Sequence, residues 1–160
     1  MKSLVATITL LLVACSPQAA TDADQPGPLP ELDAHYERSS LTVISDDGAT
    51  HEFTVYLATE FEQQRRGLMF VRNMPRDVGM LFIYEGEYVR SMWMKNTYIP
   101  LDMVFARADG TVINVVRDTV PQTLGSHEST EPARFVLELN AGTARKLRIG
   151  TRSRLVWEGD

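Results

Sequence analysis

The alternation of apolar and polar residues predicts that most of the chain from residue 41 onward forms β-strands. Phe53, Val55 and Leu57 alternate with Thr54 and Tyr56, so one face of that strand is expected to be buried. Turns containing Asp and Gly lie between strands at 46–49 and 109–110, as is typical of hairpins. The expected strands are 41–45, 50–58, 79–84, 88–97, 102–108, 111–117, 134–139 and 154–157.

Two short helices interrupt this pattern. Thr59 and Glu62 have the spacing of a capping box, which predicts a helix that ends before Gly67. Asn140 is expected to cap a second helix that ends at Lys146. The predicted fold class is therefore α+β: a compact β-rich domain with a mostly antiparallel sheet or partly closed barrel and two short helices.

The N-terminal segment has the pattern of an export signal. Residues 4–13 are almost entirely apolar, but this run is about half as long as the ~20 residues needed to span a bilayer. It ends in Leu-Val-Ala-Cys, which resembles a bacterial lipobox. We therefore expect residues 1–14 to be a lipoprotein signal peptide and Cys15 to be the lipidated N-terminus that binds the membrane. A plain signal peptide cut at 19–20 is the alternative, and an uncleaved N-terminal anchor is a third.

The next segment, 15–40, is predicted to be a flexible tether. It contains four prolines and five acidic residues, and no apolar period is visible in it. Residues 41–160 are expected to form a single globular domain. Ser16 resembles the outer-membrane sorting signal of lipoproteins, so we expect a cell-envelope protein on the periplasmic side, at the outer membrane if the source has two membranes.

Composition excludes several classes of function. The 160 residues carry a net charge of −5, whereas nucleic-acid binders usually carry a basic excess, so no nucleic-acid partner is expected. The single cysteine excludes an internal disulfide, and the three histidines are scattered. The motifs of nucleotide-binding loops, zinc proteases, serine hydrolases and dinucleotide-binding folds are absent. We therefore predict no metal and no cofactor.

Five segments, taken together, resemble the bacterial and archaeal family known as domain of unknown function 192. The similarity covers about residues 50–157 and implies a compact, mostly antiparallel β domain with short helices. It implies no established reaction, and it is compatible with secretion or lipid anchoring. The segments that carry it are Arg66-Gly67-Leu68-Met69, Gly79-Met80-Leu81-Phe82, Trp93-Met94-Lys95-Asn96-Thr97, Pro100-Leu101-Asp102 and Phe135-Val136-Leu137-Glu138.

The residues around Trp93 are the best candidates for a ligand site. On a strand, Trp93 and Lys95 would share one face, where an indole and an ammonium can hold a polar or anionic ligand. Asn96, Asp102 and, less directly, Arg66 are added to this predicted site. Each also has an ordinary structural explanation, such as an aromatic at the edge of the core, a turn cap or a cation at a helix C-terminus.

The function predicted from sequence is non-enzymatic. We expect an envelope lipoprotein whose domain binds a small polar ligand or an envelope protein. The alternative is an enzyme of unrecognised type that acts on a periplasmic polar substrate through Lys95 and Asp102. A purely structural role is the third hypothesis.

Overall fold

The computed structural model describes residues 29–159, which contain nine strands and three short helices. None of these helices is long and apolar enough to cross a membrane. The strands are β1 (Glu37–Ile44), β2 (Thr50–Ala58), β3 (Val78–Tyr88), β4 (Ser91–Met92), β5 (Leu101–Ala106), β6 (Val112–Val116), β7 (His127–Glu128), β8 (Ala133–Asn140) and β9 (Arg154–Val156). The helices are α1 (Pro30–Asp33), α2 (Phe61–Arg66) and α3 (Thr143–Lys146).

Seven strands form one mixed sheet in the order β6-β5-β8-β3-β2-β1-β9. All neighbours are antiparallel except β2 and β3, which are parallel. The two edges meet at Thr111 and Arg154, and the backbone N–H of Leu155 donates to the carbonyl of Gly110 at 2.8 Å. A Cβ at Gly110 would clash with the Leu155 carbonyl, so the approach of the edges requires glycine there. The predicted α+β, β-rich fold class is confirmed: the sheet is mostly antiparallel and nearly closed, and it is accompanied by three short helices where two were predicted.

The sheet buries apolar side chains on both of its faces. One face encloses the barrel interior, to which all seven strands contribute, including Leu41, Val55 and Leu137. The outer face carries residues such as Met80 and Phe105 and is covered by α1, the segment after α2 and the segment after β4. Because successive strand residues point to opposite faces, β2, β3, β5, β6 and β8 each contribute to both cores.

The first hairpin forms as its sequence predicts. Leu41 pairs with Phe53 and Ile44 pairs with Thr50, so the connection falls on residues 45–49. Gly48 adopts a φ of 82°, a left-handed conformation that costs glycine little. Local turn chemistry therefore sets the register of β1 and β2.

Residues 30–40 contain secondary structure, so the predicted tether is too long at its C-terminal end. Helix α1 and the first half of β1 lie within 30–40. Leu32 and Tyr36 are buried in the outer core, and the Tyr36 hydroxyl donates to the carbonyl of Gly67 at 3.0 Å. Tertiary contacts therefore hold this segment in place, although its proline-rich composition does not indicate that it belongs to the folded domain. The remainder of the predicted tether, the signal peptide and Cys15 lie outside the described residues.

Both predicted helices exist, but their N-terminal caps differ from those expected. In α2, the backbone N–H of Glu60 donates to Gln63 Oε1 at 3.0 Å, so the cap lies one residue later than the predicted Thr59. Helix α3 begins after Gly142. The Asn140 amide instead donates to the carbonyls of Met74 and Pro75, which ties β8 to the loop before β3.

Candidate functional site

Four of the five predicted site residues meet at the outer face of the sheet. Arg66 is the last residue of α2, and Trp93, Lys95 and Asn96 belong to the segment after β4. All four line a cleft of about 430 Å³, which we call the α2-side cleft. Arg66, Trp93 and Lys95 also line an adjoining cleft of about 260 Å³, the central cleft. The prediction that these residues lie together therefore agrees with the geometry, and their role as a ligand site stays a prediction.

The segment that carries these residues is a turn rather than the predicted strand 88–97. Only Ser91–Met92 is a strand, and it pairs with β7. Asn96 adopts a left-handed φ of 56°, and the backbone N–H of Thr97 donates to the carbonyl of Met94 at 3.1 Å. Asparagine tolerates this conformation better than most residues, so it permits the tight turn. The turn brings Lys95 back towards Trp93.

Trp93 and Lys95 form a cation–π pair at the mouth of the central cleft. The Lys95 ammonium lies 5.1 Å from the centre of the indole ring. Trp93 is 45% exposed, so a large part of the indole remains accessible to a ligand. The predicted strand 88–97 is not needed to place Trp93 and Lys95 together, because the turn brings them equally close.

Arg66 places a second cation beside the same cleft. Its Nε is buried and has no hydrogen-bond partner within residues 29–159. Its guanidinium carbon lies 5.9 Å from the Phe70 ring centre, and no carboxylate within the described chain lies in ion-pair range of it. A buried N–H without a partner is costly, so this group is available to an acceptor that enters the cleft.

Glu138 is the main residue that the sequence analysis did not select. It lies on the outer face of β8, is 4% exposed and lines the central cleft. Burial raises the pKa of its carboxyl to about 8, and no described residue forms a hydrogen bond with it. Its neighbours Leu137 and Leu139 are fully buried. A lone acid in so apolar a strand was the available signal, but the sequence could not show that the cleft reaches it.

Two tyrosines add neutral hydroxyl groups near the carboxyl. Burial raises the pKa values of both Tyr36 and Tyr84 to about 12, so both hydroxyls stay protonated at neutral pH. The Tyr84 hydroxyl donates to the sulfur of Met92 at 3.7 Å, and the Arg90 guanidinium lies 3.8 Å from the Tyr84 ring centre. The floor of the central cleft is consequently uncharged while its rim is cationic.

Asp102 is not part of this site, and its predicted convergence with Trp93 and Lys95 is wrong. It is fully buried on the face of β5 that also carries Val104, which points into the barrel. Its carboxylate accepts hydrogen bonds from the backbone N–H groups of Asp118 at 2.9 Å and Ala144 at 2.8 Å. The alternation of side chains along β5 therefore directs Asp102 away from the outer clefts, and it joins a loop and α3 to the sheet.

Metal ligation has no obvious place in the part of the chain that the structure describes. No group of three or more His, Cys, Asp or Glu side chains converges there. His127 lies in β7, and its Nε2 is buried without a partner. The central cleft offers an indole, hydroxyl groups, the neutral carboxylic acid of Glu138 and the cations Arg66 and Lys95. A third cation, Arg65, also lines it but is ion-paired with Glu62.

Comparisons with known proteins give a family and a fold. No functionally curated protein matches the chain. A Sinorhizobium meliloti 1021 structure, described only as a candidate transcription regulator, is 42% identical, with a TM-score of 0.74, over 76% of this chain and 94% of its own. A Novosphingobium aromaticivorans DSM 12444 structure of unknown function is 30% identical, with a TM-score of 0.76, over 89% of this chain and 99% of its own. The model of domain of unknown function 192, described as an uncharacterized ACR, matches residues 42–157, and the chain belongs to this family.

Proposed function

We propose that this protein is an envelope-anchored binding domain that captures a small anionic ligand in the central cleft. One observation carries the proposal: Arg66 and Lys95 face the cleft without ion pairs in the described chain, while burial keeps Glu138 neutral at pH 7. The cleft therefore has a positive rim and no opposing negative charge from its own lining. Such a site attracts an anion, because no carboxylate in its lining opposes the attraction of the two cations.

The accessible indole favours a ligand that also has a flat apolar face. Trp93 offers this surface directly beside the Lys95 ammonium. The protonated Glu138 carboxyl can donate one hydrogen bond and accept others, so it suits a hydroxyl group on the same ligand. A ring that bears a carboxylate or phosphate and several hydroxyl groups fits this combination of groups.

We do not propose a role in transcription regulation, the description given to the Sinorhizobium meliloti protein, for this chain. Nucleic-acid binding is driven largely by neutralising phosphates with clustered lysine and arginine. This chain has 16 basic and 21 acidic residues. Arg66 and Lys95, which form no ion pairs in the described chain, lie beside one small cleft and fit a small anion better than a duplex backbone.

An enzyme remains the second hypothesis, with a different acid from the one predicted. Asp102 lies inside the barrel, but Glu138, with a pKa of about 8, is protonated in the way that a general acid must be. Binding is favoured because no second carboxyl lines the central cleft in the described chain to serve as base or nucleophile.

The proposal predicts selectivity for anionic over neutral ligands. In NMR titrations near neutral pH, glucuronate should bind and glucose should bind about ten-fold more weakly or not at all. Lys95→Ala and Arg66→Ala should each weaken glucuronate binding about ten-fold. Lys146→Ala removes the same charge from an exposed position on α3 and should leave binding unchanged. Equal binding of glucose and glucuronate would contradict the proposal.

The same titration has a defined pH dependence. As pH rises through about 8, Glu138 ionises and its negative charge repels the ligand, so wild-type affinity should fall. Glu138→Gln keeps a neutral donor and acceptor and should remove this fall. If the wild type converts methyl glucuronide to free sugar and Glu138→Gln does not, the enzyme hypothesis replaces the binding one.

We also propose that Cys15 anchors the protein, since the apolar N-terminal run ends in Leu-Val-Ala-Cys. The intact mass of membrane-purified protein should correspond to a chain that begins at Cys15 and carries acyl groups. Several buried acyl chains give a stable anchor, because each methylene contributes about 0.8 kcal/mol. Cys15→Ala should leave the precursor unprocessed by the lipoprotein pathway. A mature species that begins beyond Cys15 without lipid mass would overturn the proposal.

A further inference from the structure

Three clefts meet at Trp93. The indole lines the central cleft, the α2-side cleft and a third cleft of about 360 Å³ beside Leu124 and Ser126, which we call the loop cleft. Each of the three is comparable to the lower size range of small-ligand pockets. They share this side chain, which is 45% exposed, and we refer to the three clefts together as the groove through Trp93.

Each cleft presents its own exposed apolar side chain in addition to Trp93. These are Phe70 in the α2-side cleft, Phe61 in the central cleft and Leu124 in the loop cleft. Their exposed fractions are 47%, 74% and 70%, whereas large apolar side chains usually avoid water where packing allows it. One apolar surface per cleft suits a ligand whose apolar faces repeat along its length.

Each cleft also contains polar groups. Asn96 lines the α2-side cleft, and the hydroxyl groups of Ser91 and Ser126 hydrogen-bond to each other in the loop cleft. Arg66 and Lys95 supply positive charge, and Glu138 lies 96% buried at the floor with its carboxyl free of hydrogen bonds from the described chain. Apolar faces that alternate with hydroxyl groups and carboxylates are the chemistry of an acidic saccharide chain.

We infer that the groove through Trp93 binds a linear acidic polysaccharide, with successive sugar units in the three clefts and Trp93 stacked on one of them. This inference rests on the proposed anion site, which it extends from one unit to several. An acidic peptide offers similar charge, but its side chains do not present a ring in every residue. The repeated apolar surfaces therefore favour the saccharide.

The test measures affinity against chain length. Galacturonate oligomers of one, two, four and six units are titrated into the full-length protein, and binding is followed by NMR. Affinity should rise about ten-fold or more between one and four units and then level off, because each filled cleft adds contacts until the groove is full. Trp93→Ala should weaken the binding of every length.

Variants in the α2-side and loop clefts distinguish binding along the whole groove from binding in the central cleft alone. Phe70→Ala and Leu124→Ala should weaken the six-unit oligomer several-fold while leaving the single unit unchanged. Val120→Ala removes a side chain that is 62% exposed and lines none of the three clefts, so it should leave both unchanged. All of these positions are at least partly exposed, and circular dichroism verifies that each variant is folded.

The outcomes distinguish the two proposals. If one and six units bind equally, the groove inference fails and the small-anion site stands. If no uronate of any length binds, both fail. If hexaglutamate binds as tightly as the six-unit uronate, the ligand is an acidic peptide and the saccharide assignment is wrong.

Discussion

Asp102→Ala should be among the most destabilising single substitutions in the protein. The carboxylate is fully buried and accepts the backbone N–H groups of Asp118 and Ala144. The hydrogen bond from Ala144 is buried, whereas that from Asp118 is only partly buried. A buried donor left without an acceptor costs about 1–3 kcal/mol and a partly buried one costs less, so the free energy of unfolding should fall by about 2–4 kcal/mol. Urea denaturation followed by circular dichroism measures this loss, and glucuronate binding by the folded fraction should be unchanged.

Asp77→Ala is the matched control for that experiment. Asp77 has an exposed side chain in the loop before β3, and no hydrogen bond to its carboxylate is present in the described chain. Its removal should change stability by about 0.5 kcal/mol or less. If Asp102→Ala were equally mild, then water or neighbouring groups would have replaced the lost acceptor, and Asp102 would not hold the loop and α3 to the sheet.

Glu138→Gln should stabilise the protein at alkaline pH but not at acidic pH. The pKa of this carboxyl is about 8 in the folded state against 4.5 for the free group. Between these values the folded protein binds more protons than the unfolded chain, so wild-type stability should fall as pH rises from about 4.5 to about 8. Above pH 8 the ionised buried carboxylate costs about 3–5 kcal/mol, which Glu138→Gln should recover.

The titratable and charged groups around Glu138 determine the pH range of that experiment and the size of the expected effect. Tyr36 and Tyr84 stay neutral well above pH 9, so they do not titrate in this range. Arg66 and Lys95 line the same cleft as Glu138, and their positive charges can offset part of the cost of ionising it. Denaturation midpoints at about pH 5 and about pH 9 give the comparison. Glu85→Gln, at an exposed position of β3, should change neither midpoint. An equal effect of Glu138→Gln at both pH values would show that Glu138 is not neutral in the folded protein.

The strands were predictable because their signals are local. Period-two alternation and Asp-Gly turns specify β2, β5, β6 and β8 within a few residues, whatever lies around them. The nearly closed sheet follows from those strands together with the approach of its two edges, which only the structure shows. The family resemblance supplied the same fold class and no site chemistry.

The site was harder to predict because it depends on which face of a strand is covered. Asp102 and Glu138 are both acids in apolar strands, and nothing in the sequence distinguishes the one that is satisfied inside the barrel from the one that faces a cleft. Trp93 and Lys95 were correctly grouped on the wrong premise, since a turn at Asn96 rather than a strand brings them together. Helix α1 was missed because Leu32 gains its stability from distant partners.

The position of α1 limits where the clefts can work. The described residues begin at 29, and the nearby His35 and Tyr36 line the α2-side cleft. Between residue 29 and the proposed lipid at Cys15 lie residues 16–28, whose fully extended length would be at most about 45 Å. A domain tethered in this way would stay within a shallow layer next to its membrane. It would meet polymers attached to that surface at high local concentration. A low affinity for each sugar unit would then be enough to retain them.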